Sequence, residues 1–192
     1  MKYYIIAGEA SGDLHGSNLM RGLYARDPEA EIRFWGGDLM NGVYTECDPD
    51  PGEYEPGHTG ALARGMRYGG LVHHYKEGAV MGFWEVIRKG GRLLKNVREC
   101  KEDILAHRPD AVILIDYPGF NFRIAEFAHR HGLKVFYYIA PKVWASREGR
   151  IRRLKAYVDK LFIVFPFEIP YFRAKGVDFI YKGNPLVDAV DL

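Results

Sequence analysis

The chain has 192 residues, 47% of them hydrophobic, and a formal net charge of +2. That length supports one well-cored α/β domain and is too short for two, and so small a net charge argues against nucleic acid as a partner of the whole surface. Two cysteines, Cys47 and Cys100, lie far apart with no metal or redox spacing. The start Met1-Lys2-Tyr3 reads as a strand and not as a signal peptide, so a reducing cytoplasm is expected.

The first strand, Tyr3 to Ala7, breaks into the loop Gly8-Glu9-Ala10-Ser11-Gly12-Asp13, and a helix is expected to open at Asp13. Gly8 and Gly12 permit tight or positive-φ backbone and close approach of a ligand, and Asp13 can cap the helix that follows. The spacing is not that of a dinucleotide loop, and Glu9 would repel a pyrophosphate, so an NAD site is not expected. A plain strand-to-helix turn with no ligand is the alternative. Leu19, Met20, Leu23 and Tyr24 then repeat at helical spacing, and Ile32 to Trp35 reads as a second strand ending at Gly36-Gly37.

Residues 46 to 70 are crowded with Pro, Gly and acids and read as a long mobile surface insertion. Beyond it, Ala79 to Trp84 is apolar, with core packing the alternative to lipid contact. Leu93, Val97, Cys100 and Ile104 share one helix face, with a break expected upstream at Gly90-Gly91 and two helices meeting there. His73-His74 do not have zinc spacing, and no metal site is expected.

Ala111 to Asp116 is a nearly continuous apolar run, the pattern of a strand buried on both faces. Asp116 closes it. A carboxylate there faces a costly environment unless it has a partner or a task, and burial would raise its pKa toward the range of a general base. Capping the Pro118-Gly119 turn is the alternative. Asn121 can bind a ligand or cap the next helix, whose stripe is Phe120, Ile124, Phe127, Ala128 and His131. Strands at Lys134 to Ile139, Lys160 to Val164 and Asp178 to Tyr181 alternate with helices near 149–157 and 168–175. The whole pattern predicts a parallel, doubly wound α/β sheet.

The loop Ala140 to Trp144 reaches the same sheet edge as Glu9 and Asp116. Lys142 can meet an anion and Trp144 can stack on a sugar or enter a lipid surface, with simple loop packing as the alternative for both. Arg147, Arg150, Arg152, Arg153 and Lys155 form a basic run that is either a solvated helix face or a site for phosphate or anionic membrane.

Taken in order, Gly8 to Asp13, Gly36-Gly37 with Met40, His74-Tyr75 through Gly82 with Glu85-Val86, Asp116 to Asn121, Tyr138 to Ala145, Pro166-Phe167-Glu168 and Gly183-Asn184-Pro185 resemble the lipid-A-disaccharide synthases. The resemblance implies a Rossmann-like sheet forming the N-terminal, acceptor-side half of a two-domain inverting glycosyltransferase of the GT-B type. It implies UDP-2,3-diacylglucosamine as donor, 2,3-diacylglucosamine 1-phosphate as acceptor, and no cofactor or metal. It also implies peripheral attachment to the anionic inner face of the bacterial inner membrane. Asp116 would be the general base, with Glu9 and Ser11 in the active-site loop; Gly8, Gly12, Asp13, Asn121, Lys142 and Trp144 are candidate substrate contacts. Met81, Phe83 and Trp84, beside Arg88, Lys89 and Arg92, are candidate membrane contacts.

Three departures from the family pattern stand out: an insertion expected at residues 41 to 69, Ser146 in place of a second tryptophan, and a chain that ends near the domain junction. The chain alone is then expected to be inactive, with a C-terminal nucleotide-sugar half or a homodimer partner among its possible partners. Two other readings remain open: a non-catalytic module that binds acylated glucosamine phosphate or membrane, and a related nucleotide-sugar enzyme such as an epimerase.

Overall fold

The computed structural model describes residues 1–48, 69–78, 85–141 and 149–185. Seven parallel strands form one sheet: β1 (Lys2–Ala7), β2 (Glu31–Gly36), β3 (Gly70–His74), β4 (Ala111–Ile115), β5 (Lys134–Tyr138), β6 (Lys160–Ile163) and β7 (Ile180–Tyr181), in the spatial order 3-2-1-4-5-6-7. The described helices are α1 (Ala10–Tyr24), α2 (Asp38–Cys47), α3 (Glu85–His107), α4 (Pro118–Arg130), α5 (Gly149–Tyr157) and α6 (Glu168–Ala174), with a 3₁₀ turn at Tyr75–Gly78. This is the doubly wound Rossmann-like α/β fold that the strand–helix alternation predicts.

Burial explains the order. All five residues of β4 are buried, as an apolar run in the middle of a parallel sheet requires, and β4 pairs with β1 from Tyr3 opposite Ala111 to Ala7 opposite Ile115. One core layer gathers Ile5, Met20, Phe34, Met40 and Tyr44, and the other gathers Tyr4, Trp35, Val97, Cys100, Ile104 and Phe120.

Three local expectations are corrected. The helical bonding of α3 runs through Gly90 and Gly91 without a break. Each glycine costs only about 1 kcal/mol relative to alanine in a helix, and the stripe of Val97, Cys100 and Ile104 buried against the sheet outweighs that. An insertion beginning at residue 41 would begin inside α2, where Val43 and Tyr44 are buried. The stretch read as a surface insertion over residues 46 to 70 stops short of Gly70, which pairs with Arg33 as the first residue of β3. Residues 49–68, the body of that expected insertion, lie outside the described residues.

A charged cluster missing from the sequence reading pins α3 to the sheet. The Arg33 guanidinium donates two hydrogen bonds to Asp103, each 2.7 Å, and the Tyr4 hydroxyl donates a third at 2.7 Å. The Trp35 indole N–H in turn donates to the Tyr4 oxygen at 2.9 Å. Asp103 is 3% exposed, so its charge is tolerable only because three donors meet it.

Candidate active site at the carboxyl edge

The strand order reverses between β1 and β4, and ligands in open α/β sheets bind beyond the carboxyl ends of the strands at such a point. Glu9 follows β1 and Asp116 follows β4. Because Ala7 pairs with Ile115, the two loops leave the sheet side by side, about 4.8 Å apart in strand spacing. Tyr117 marks their closeness: its ring lies where a side chain on Gly8 would stand, and its phenol is pushed up by burial and then by the charge of Glu9.

Glu9 is the N-cap residue of α1, which therefore starts at Ala10 and not at Asp13. Its side chain makes no capping bond and is exposed, as is Ser11, the second residue of the helix. Both can reach a ligand.

Asp13 does different work. It is 2% exposed, and its carboxylate accepts the backbone N–H of Gly37 at 2.8 Å, Leu39 at 3.0 Å and Met40 at 3.1 Å. It caps α2 from inside α1, which corrects both the cap expected for its own helix and the expected substrate contact. Gly37 fits this clasp because a Cβ there would meet the Tyr75 ring and stand 2.7 Å from Asp13 Oδ2.

The glycines of the loop are also explained by packing. Neither Gly8 nor Gly12 has a positive φ. Gly12 is buried and a Cβ on it would stand 3.2 Å from Ala7 Cβ, so its smallness seats α1 on β1. That corrects the ligand-approach expectation for Gly12, whereas Gly8 is covered by Tyr117.

Asp116 is half-buried at the head of a tight turn, in which both Asp116 and Tyr117 have φ of 42°. Left-handed backbone costs a side-chain-bearing residue about 1–2 kcal/mol, so two in succession must be held in place. The N-cap position of α4 belongs to Tyr117, not Asp116. Asn121 is fully buried, with its amide nitrogen donating to the carbonyls of Ile115 at 3.2 Å and Asp116 at 2.9 Å. It has no surface to offer a substrate, which corrects that expectation. On the β6 side, Glu168 is 1% exposed and accepts the amides of Val164 and Phe165, fixing the loop that presents Phe167.

Among the described residues, a hollow at this edge lined by Gly8, Trp35, His73, Tyr75, Asn96 and Tyr117 among others holds about 50 Å³. Sugar-sized ligands need several hundred Å³, so this hollow by itself does not hold one. Two larger hollows, about 490 and 380 Å³, are lined by α1 with Tyr138 and by α3 with α4, and neither includes Glu9, Ser11 or Asp116. Lys142, Trp144, Met81, Phe83 and Trp84 lie outside the described residues.

The model of the lipid-A-disaccharide synthetase family matches residues 59–192. The chain belongs to the lipid-A-disaccharide synthase family. Family relatives bear the same name: one from Geobacter metallireducens is 39% identical over 97% of this chain, and one from Syntrophus aciditrophicus is 38% identical over 97%. The chain spans 42% of each of these relatives. Among solved structures, the UDP-GlcNAc 2-epimerases of Neisseria meningitidis and Methanocaldococcus jannaschii match 98% of the chain with TM-scores of 0.63 and 0.57. They share 10% and 17% identity with it and are covered over 48% and 47% of their own length. At that identity the likeness shows the synthase-family chain's fold, and does not show epimerase chemistry.

Proposed function

We propose that this chain is the acceptor-side half of an inverting glycosyltransferase that builds the lipid A disaccharide. The observation that carries the reading is the meeting of the Glu9–Ser11 loop and Asp116 at the β1/β4 switch point, in a chain of the lipid-A-disaccharide synthase family. Asp116 takes the proton from the 6-hydroxyl of 2,3-diacylglucosamine 1-phosphate as that oxygen bonds to the anomeric carbon of UDP-2,3-diacylglucosamine. The bond from that carbon to the diphosphate oxygen breaks, the centre inverts, and UDP leaves. Donors for the departing diphosphate come from a second half, in keeping with a chain spanning 42% of its relatives.

In the two-half enzyme, Asp116→Asn is expected to leave acceptor binding nearly intact and lower turnover by about 10²–10⁴-fold. Near-normal turnover removes Asp116 from the role. Residues 1–192 alone are expected to bind the acylated glucosamine 1-phosphate and transfer nothing; transfer at the rate of a full-length relative would place the donor site within this chain. Binding without transfer even when the second half is supplied would favour the non-catalytic module.

The same reading places the chain on the cytoplasmic face of an anionic membrane. No described helix is long and apolar enough to cross a bilayer. On α5, Arg152, Arg153 and Lys155 are exposed with no acidic residue on the helix, and each cation contributes about 1 kcal/mol near an anionic surface. Sedimentation with anionic vesicles is expected to be salt-sensitive and weakened when these three are changed to serine. Unaltered binding to neutral vesicles in high salt would contradict the electrostatic contribution.

A further inference from the structure

Four non-glycine residues among those described have positive φ: Arg108, Asp116, Tyr117 and Ile139. Arg108 directly follows the end of α3, where a left-handed residue commonly closes a helix. The other three gather at the carboxyl ends of the neighbouring strands β4 and β5, whose last residues, Ile115 and Tyr138, are paired. Strain held in one place calls for something that holds it.

Two buried side chains converge there on a single atom, the backbone carbonyl oxygen of Asp116. Asn121 donates to it at 2.9 Å and the Tyr137 hydroxyl donates at 2.6 Å. Asn121 is 0% exposed, and so is Tyr137, whose ring is packed beside Phe122 at 5.7 Å. Burial, followed by the charge of Asp116, raises the Tyr137 phenol well above its ordinary value, which keeps its proton available for donation. A carbonyl oxygen has two lone pairs and can accept both bonds. Since a peptide unit is planar, fixing the direction of that carbonyl fixes ψ of Asp116 and φ of Tyr117 together.

We propose that Asn121 and Tyr137 are positioning residues that clamp the Asp116 carbonyl and so fix the direction in which the Asp116 side chain leaves the backbone and hold the Tyr117 ring against the β1–α1 loop. This rests on the reading of Asp116 as the proton acceptor. Neither residue touches substrate; both act through the backbone of Asp116. The charged and titratable groups that act on the two tyrosines of this turn include Glu9 before α1, Asp116 itself and Arg150 on α5.

The test follows the Asp116 carboxyl and backbone by carbon-13 NMR across pH in residues 1–192, comparing the parent with Tyr137→Phe, which keeps the packed ring, and with Asn121→Ser. The expected result is a shift of the Asp116 titration midpoint by about half a unit or more, a threefold change in its ionisation constant. It should come with Cα and Cβ shifts at 116 and 117 leaving the positive-φ range, while Asp27 and Asp110 titrate as before. A folded Tyr137→Phe chain in which the Asp116 midpoint and both backbone signatures stay at the parent values overturns the clamp, and Asn121→Ser decides the matter in the same way should Tyr137→Phe fail to fold. Loss of the general-base reading would show separately, as retained turnover in Asp116→Asn, and would leave the NMR result standing as a clamp without that chemistry.

Discussion

Asp13 carries more of the local architecture than its place in a glycine-rich loop suggests. Three amides of the loop into α2 and of its first turn converge on one carboxylate that belongs to a different helix. Asp13→Ala leaves those donors without their acceptor in a buried setting and is expected to destabilise the chain by about 1–3 kcal/mol, seen as a lower urea midpoint. Gly37→Ala should act at the same spot through overlap with Tyr75 and Asp13. Unchanged midpoints for both would remove the clasp. Asp116 as the carboxylate ending a buried strand was legible from the chain itself; that Asn121 serves its carbonyl was not, because nothing in the spacing of Asp116 and Asn121 says which way a buried amide turns.

At the scale of elements, α3 is the clearest case of packing overriding a local signal. Gly90-Gly91 reads as a break, yet the helix continues because its later turns are fastened by Val97, Cys100, Asp103 and Ile104. Gly91 is exposed, and a Cβ there would meet nothing within 4 Å. Gly91→Ala is therefore expected to stabilise the chain by about 0.5–1 kcal/mol in denaturant unfolding, whereas a true break at that position would make the change neutral or harmful. β3 escaped the sequence reading for the converse reason. It is a five-residue edge strand with two histidines, and its place is set by pairing with β2 rather than by an apolar run of its own.

For the whole molecule, buried histidines make acid the expected weakness. His107 is 3% exposed, neither of its ring nitrogens has a hydrogen-bond partner, and burial, helped by the charge of Arg33, lowers its pKa to about 4. His73, packed on Trp35 with ring centres 4.4 Å apart, is also lowered to about 4, by burial and then by His74. It lies 3.4 Å from Glu77 without a hydrogen bond from its Nδ1, so at neutral pH that contact is not an ion pair. Between pH 4 and 6.5 both histidines bind fewer protons folded than unfolded, so stability is complete above pH 6.5 and declines as the pH falls toward 4. His107 alone is expected to cost about 2 kcal/mol between pH 6.5 and 5. Urea unfolding across that range should show the slope, and His107→Leu should flatten it; an unchanged slope would mean that the ring is already solvated.

The sequence by itself determined the parallel doubly wound sheet, the central strand β4, and the placing of Glu9, Ser11 and Asp116 at one edge. Apolar periodicity is local, and in a parallel sheet every strand's carboxyl end points the same way. Only the tertiary structure decided which polar groups meet a ligand and which meet the protein. Asp13, Asn121, Glu168 and the Arg33–Asp103 pair look as available in the sequence as Glu9 does. Each is buried, and each is bound by groups brought to it across the fold or around a turn. A polar residue's role depends on whether its partner is water or a protein donor, and that is settled when strands and helices dock.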